Sequence, residues 1–146
     1  MMSINFNIGS RYPVNRDFLR QAAISLLEKQ HIAAAELDVT IVGTRKMKDL
    51  NERLVGHQGV TDVLSFPHHE KNELHDFPLP PGLPPILGEI VICFPVAVAS
   101  ARKRRQLVDE QLRFYLEHGM MHLLGFHHQD GMQDHTRVPE INEVRQ

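Results

Sequence analysis

Along the first third of the chain the spacing of apolar residues changes twice. Ile4, Phe6 and Ile8 alternate with Asn5 and Asn7, a period of two that predicts a strand over residues 3–8. Leu19, Ala22, Ala23, Leu26 and Leu27 then fall on one stripe at helical spacing. Asn15 supplies an N-cap, so a helix is expected from there to about residue 30. Leu37, Val39 and Ile41 restore the alternation and give a second strand that stops at Gly43. Thr44 is placed to cap a short helix that turns Met47, Leu50 and Leu54 inward, and Gly56 closes it. Residues 61–66 form a third strand candidate.

Residues 67–85 hold six of the nine prolines, which excludes a helix or an inner strand; a plain surface loop is preferred over a lid. Residues 89–94, EIVICF, are nearly all apolar, as in a strand covered on both faces. Pro95 suits the first turn of a helix carrying Arg102, Lys103, Arg104 and Arg105. A last helix is expected from about Asp109 to Leu124, with Leu112, Tyr115, Leu116 and residues 119–123 available to the core and Gly125 ending it. Four short strands among several helices predict an α+β or mixed α/β domain.

Composition narrows the picture. With 146 residues, the chain is expected to be one domain spanning 1–146 that can bury a core without staples. Sixteen Lys and Arg against eighteen Asp and Glu leave a net charge of −2, so affinity for nucleic acid must come from a local patch. A single cysteine, Cys93, excludes an internal disulfide framework. No apolar run approaches the roughly 20 residues of a membrane span, and the N-terminus lacks the layout of a signal peptide. The expectation is a cytoplasmic protein without a membrane partner. The departure from average composition is histidine, of which there are ten.

The histidines concentrate in residues 118–128, HGMMHLLGFHH. At about 100° per residue, His118 and His122 lie about 40° apart on one helix face and one turn, about 6 Å, along it. Two imidazoles so placed can share a metal ion. Gly125 allows a left-handed turn that returns the chain, so that His127 or His128 can supply a third ligand; spacing leaves either. Three protein ligands with one open position are the pattern of a catalytic zinc site, whereas structural sites close with four. A lone H-x-x-x-H arises often by chance, and a lone buried histidine is usually a hydrogen-bonded core residue. The third histidine after a glycine favours metal. His31, His57 and His135 are expected at the surface, and His68, His69 and His75 in the proline-rich loop are expected to be solvated.

H-G-x-x-H-L-x-G-x-x-H, together with T-D-V-L-S-F at residues 61–66 and L-G-E-I-V-I at 87–92, resembles the YbeY-type bacterial endoribonucleases. The motifs occur in the right order, and the resemblance covers nearly the whole chain. It implies an α+β fold with a small mixed sheet of about four strands flanked by helices and a metal site at the end of a core helix. It also implies one Zn²⁺ per chain, held by His118, His122 and His128, and a role in 16S rRNA 3′-end maturation and ribosome quality control. The partner implied is rRNA or a ribosomal particle. Five positions depart from the pattern. His127 stands where the family usually has Asp, and Glu89 where it has Asp. In L-N-x-x-Y-R-x-x-D-x-P-T-D, the arginine falls on Val55, the acidic residue on Gln58 and the proline on Val60. Arg53 lies two residues earlier, about 200° around a helix, and is no simple replacement.

A zinc ion on three neutral imidazoles keeps its charge, lowers the pKa of a bound water towards about 7 and stabilises charge on a phosphoryl oxygen. Zinc peptidases place a glutamate after the first histidine as general base; here that position is Gly119. RNA carries its own nucleophile, the 2′-hydroxyl, and tolerates the absence better. Arg102, Lys103, Arg104 and Arg105 are the candidate phosphate contacts, although four consecutive cations around a helix cannot all face one strand. For Asp62 and Ser65, backbone capping is preferred over a role in the site. The reading is a zinc-dependent, single-strand-specific endoribonuclease; the alternative is a metal-stabilised, ribosome-associated RNA-binding protein with little catalysis.

Overall fold

The computed structural model describes residues 2–9, 11–68 and 85–125. Among the described residues four strands form one sheet: β1 (Met2–Ile8), β2 (Ala35–Val42), β3 (Val63–Pro67) and β4 (Ile86–Cys93), in the spatial order β1-β2-β4-β3. β1, β2 and β4 run parallel, and β3 pairs antiparallel with β4. Among the described residues the α-helices are α1 (Arg16–Lys29), α2 (Thr44–Leu50), α3 (Phe94–Arg104) and α4 (Val108–Leu123). The architecture is the α+β fold with a small mixed sheet that the motifs imply.

Most elements follow from their local sequence. Asn15 caps α1 by accepting a hydrogen bond from the Phe18 N–H at 3.1 Å. In β2 the period-two pattern sends Leu37, Val39 and Ile41 to one face, fully buried, while Asp38 is exposed on the other. β4 lies inside the sheet with both faces covered, which accounts for its nearly unbroken apolar run.

Two cores result, one on each face. The larger joins Leu19, Ala23 and Leu27 of α1 and Leu112, Leu116 and Met120 of α4 to the inner residues of all four strands. The smaller joins Val42, Val91, Cys93 and Leu64 of the sheet to Met47 of α2 and to Val55. Burial raises the pKa of the Cys93 thiol, with a smaller push from the charge of Asp62.

The segment after α2 departs from expectation. Thr44 begins α2 rather than capping it, because Gly43 occupies the cap position and makes no side-chain hydrogen bond. Beyond Leu50 the helix widens into a π-helical turn over Asn51–Val55, closed by an N–H···O bond of 2.9 Å from Gly56 to Asn51. An α-helix would bring residue 54 back over Met47. A π turn, at about 4.4 residues per turn or 82° per residue, leaves residue 54 about 90° away and brings residue 55 into its place. Leu54 is accordingly 41% exposed and Val55 fully buried, correcting the inward assignment of Leu54.

Candidate functional site

The site builds from α4. Its inner face carries Leu112, Leu116, Gly119, Met120 and Leu123 against the sheet. Gly119 lies directly over β4: a Cβ there would meet three side-chain atoms of Ile90 at 3.2–3.3 Å. The position after the first histidine thus faces the sheet in close contact. A glutamate there would need the space that Ile90 fills, a steric reason for glycine that adds to the argument against peptidase chemistry.

His118 is half-buried and His122 is 5% exposed, with ring centroids 5.3 Å apart and planes at 37°. Zn–N bonds of about 2.0–2.1 Å and a ring radius of about 1.2 Å place two imidazole centroids about 5.3 Å apart when both bind one tetrahedral ion. The pair therefore fits zinc in donor type and in spacing. Gly125 has φ 95°, the left-handed conformation expected where the chain leaves the helix. His127 and His128 lie outside the described residues. Among the described residues, no three His, Cys, Asp or Glu side chains gather where they could hold a metal ion.

The face that carries the two histidines extends one more turn. Phe114, at i−4 from His118, has its ring centroid 5.9 Å from that of His118. It is 38% exposed, and the Arg104 guanidinium carbon sits 5.4 Å from its centroid. Phe114 escaped the sequence reading, although its spacing of four from His118 was legible. Tyr115, beside it, turns inward, donates to Ser100 Oγ at 3.0 Å and so ties α4 to α3. Burial is the main cause that raises its pKa; the Ser100 bond opposes this and the charge of Asp62 adds to it.

Arg102, Lys103, Arg104 and Arg105 are all exposed at the C-terminal end of α3, where cations also complement the helix dipole. Arg104 reaches the histidine face through Phe114, whereas Lys103 lines a cleft with Thr44, Pro95 and Ser100. The run is thus divided between surfaces. Arg113 is engaged elsewhere, with Glu110 at 2.6 Å and over the ring of Phe18.

Asp62 accepts from the Val63 N–H at 2.7 Å, the backbone role expected of it at the start of β3. Ser65, in contrast, caps no backbone group among the described residues. It lies within β3, 1% exposed, opposite Ile90. Arg53 pairs with Asp49 at 3.1 Å on the outer surface, both side chains more than half exposed. Val55 is buried, so position 55 and Arg53 present different faces of the turn.

The mixed sheet and its helices are shared with the solution structure of TM1509 from Thermotoga maritima. The TM-score is 0.57 with 24% identity, over 99% of this chain and 86% of that one. Sequence makes the assignment finer. The profile of the family described as Endoribonuclease YbeY matches residues 9–143, and this chain belongs to that family. A protein named Endoribonuclease YbeY from Anaeromyxobacter sp. is 38% identical over 125 residues, 84% of this chain; the chain spans 60% of that protein's length. One of the same name from Beutenbergia cavernae is 38% identical over 83% of this chain and 81% of its own length. The Thermobifida fusca protein is 35% identical over 98% and 92%. Among the described residues, no helix is long and apolar enough to cross a membrane.

Proposed function

We propose that this chain is a zinc-dependent endoribonuclease that cuts single-stranded RNA and acts, in the cytoplasm, in 16S rRNA 3′-end maturation and ribosome quality control. Family membership supports the reaction class. The observation that carries zinc dependence is the separation of the His118 and His122 rings, 5.3 Å, which matches two ligands of one ion. His128 is the third ligand in this reading.

When bound, zinc supplies a Lewis acid that stabilises negative charge on the phosphoryl group under attack. The protein's own contributions are orientation and charge. α4, packed on the sheet through Gly119, carries the two imidazoles on one face. Arg104, at the edge of the same face, offers a guanidinium to the RNA backbone. RNA brings the 2′-hydroxyl as nucleophile, so its cleavage tolerates the absence of a side chain at position 119 better than peptide hydrolysis does.

The test is cleavage of a single-stranded RNA carrying the 3′ region of precursor 16S rRNA, with and without chelator, by wild type and by the His118→Ala, His122→Ala double variant. Cleavage is expected from wild type, lost on chelation and restored by Zn²⁺. The double variant should purify without the one zinc per chain that wild type carries. Full zinc content in the double variant would sink the site. A second reading, an RNA-binding protein with little catalysis, draws support from Val55, which buries an aliphatic side chain where the family pattern has arginine. It predicts RNA binding without cleavage in the same assay.

A further inference from the structure

Phe114 is the aromatic residue among the exposed large hydrophobics of the described residues. A single exposed apolar side chain calls for no explanation by itself. Its setting does. Phe114, His118 and His122 stand at i, i+4 and i+8 on α4, and each ring contacts the next, at 5.9 and 5.3 Å. The guanidinium of Arg104, carried in from α3, sits 5.4 Å from the Phe114 centroid. A flat apolar ring, a cation over it and the histidine pair one turn away thus share one surface. The two helices do not depend on the Arg104–Phe114 contact for their docking: Ala97 and Ala101 of α3 are buried, and Tyr115 bonds to Ser100 at 3.0 Å.

We infer that Phe114 is the stacking platform for one unpaired base of the RNA, which takes the place of the Arg104 guanidinium over the ring while Arg104 turns to the phosphate of that nucleotide and so sets the strand's position against the histidines. Every base offers a π face, so such a platform grips single strands without choosing their sequence. A base inside a duplex has both faces covered by its neighbours, so the platform selects unpaired RNA. Charge agrees: Arg102, Lys103 and Arg105 surround Arg104 at the end of α3, and the nearby Glu110 is already paired with Arg113. The inference rests on the proposal that the substrate is RNA, and its test separates the two.

The chain contains no tryptophan, so Phe114→Trp places a single indole at the platform. The ligand is a single-stranded RNA oligonucleotide, 2′-O-methylated throughout to prevent cleavage, with its binding followed independently by the anisotropy of an end label. Binding should quench the tryptophan, and a fully abasic oligonucleotide should not. Phe114→Leu, which keeps an apolar side chain but no ring, should bind about tenfold more weakly than wild type, the low end of what loss of one stacked base costs. Should Phe114→Leu fail to fold, judged by its thermal melt, the tryptophan signal decides alone. RNA that binds with the indole emission unchanged, or that binds Phe114→Leu as tightly as wild type, overturns the platform and leaves the RNA reading standing. Wild type that binds no single-stranded RNA overturns both.

Discussion

The end of α4 and the stretch from α2 into the π-helical turn both carry motif residues of the family, and they hold them by different means. α4 is regular over sixteen residues, so arithmetic at 100° per residue places His118 and His122 on one face, where the structure has them. The second stretch begins as an α-helix and widens after Leu50, and the same arithmetic assigns the wrong residue to the core. One change of hydrogen-bond register exchanges Leu54 for Val55. Position 55, which the family pattern gives to an arginine, thereby becomes part of the smaller core with Met47, Leu64 and Val91. A motif position is informative about chemistry only when the backbone register that presents it is known.

The largest expected effect tests that contrast directly. Val55→Arg forces a guanidinium into an apolar core without a partner, and a loss of about 3 kcal/mol or more is expected in urea denaturation. Zinc content, set by α4, should stay unchanged in whatever fraction remains folded. A stable Val55→Arg protein with raised cleavage would break the comparison, because it would mean that the turn can re-register and present position 55 to RNA.

A smaller pair sharpens it. Val55→Ala leaves a cavity and should cost about 1–3 kcal/mol, whereas Leu54→Ala at the surface should cost less than about 0.5 kcal/mol. Reversed costs, with Leu54→Ala the more damaging when the two are measured side by side as unfolding free energies, would mean that the α-helical register persists through residue 54.

The smallest concerns the anchoring of the histidine helix. Tyr115→Phe removes the bond to Ser100 and should cost about 1 kcal/mol at neutral pH. The pKa of Tyr115 is raised in the folded protein, chiefly by burial, so the folded state keeps the proton where the unfolded chain releases it. Wild type therefore holds this stability below the ordinary tyrosine range and loses it as pH rises through that range. Tyr115→Phe lacks this alkaline loss, so the gap between the two proteins should narrow above about pH 10. Parallel stability curves up to pH 11 would show that Tyr115 is not the group responsible.

What was readable from the residues alone was whatever depends on short-range order. Alternation in Leu37, Val39 and Ile41, the cap at Asn15, the apolar run of β4 and the spacing of His118 and His122 are local consequences of backbone geometry. They identified the strands, the helices and the placing of His118 and His122 on one helix face. Tertiary structure decided the features that need two distant segments. The contact of Gly119 with Ile90 exists because α4 lies on β4, and Phe114 meets Arg104 because α3 returns beside α4. The turn after α2 belongs to the same class. Its register is set by the core that Val55 completes with the sheet, and burial against another element outweighs the small difference between helical registers. Helical periodicity cannot report a choice that packing makes.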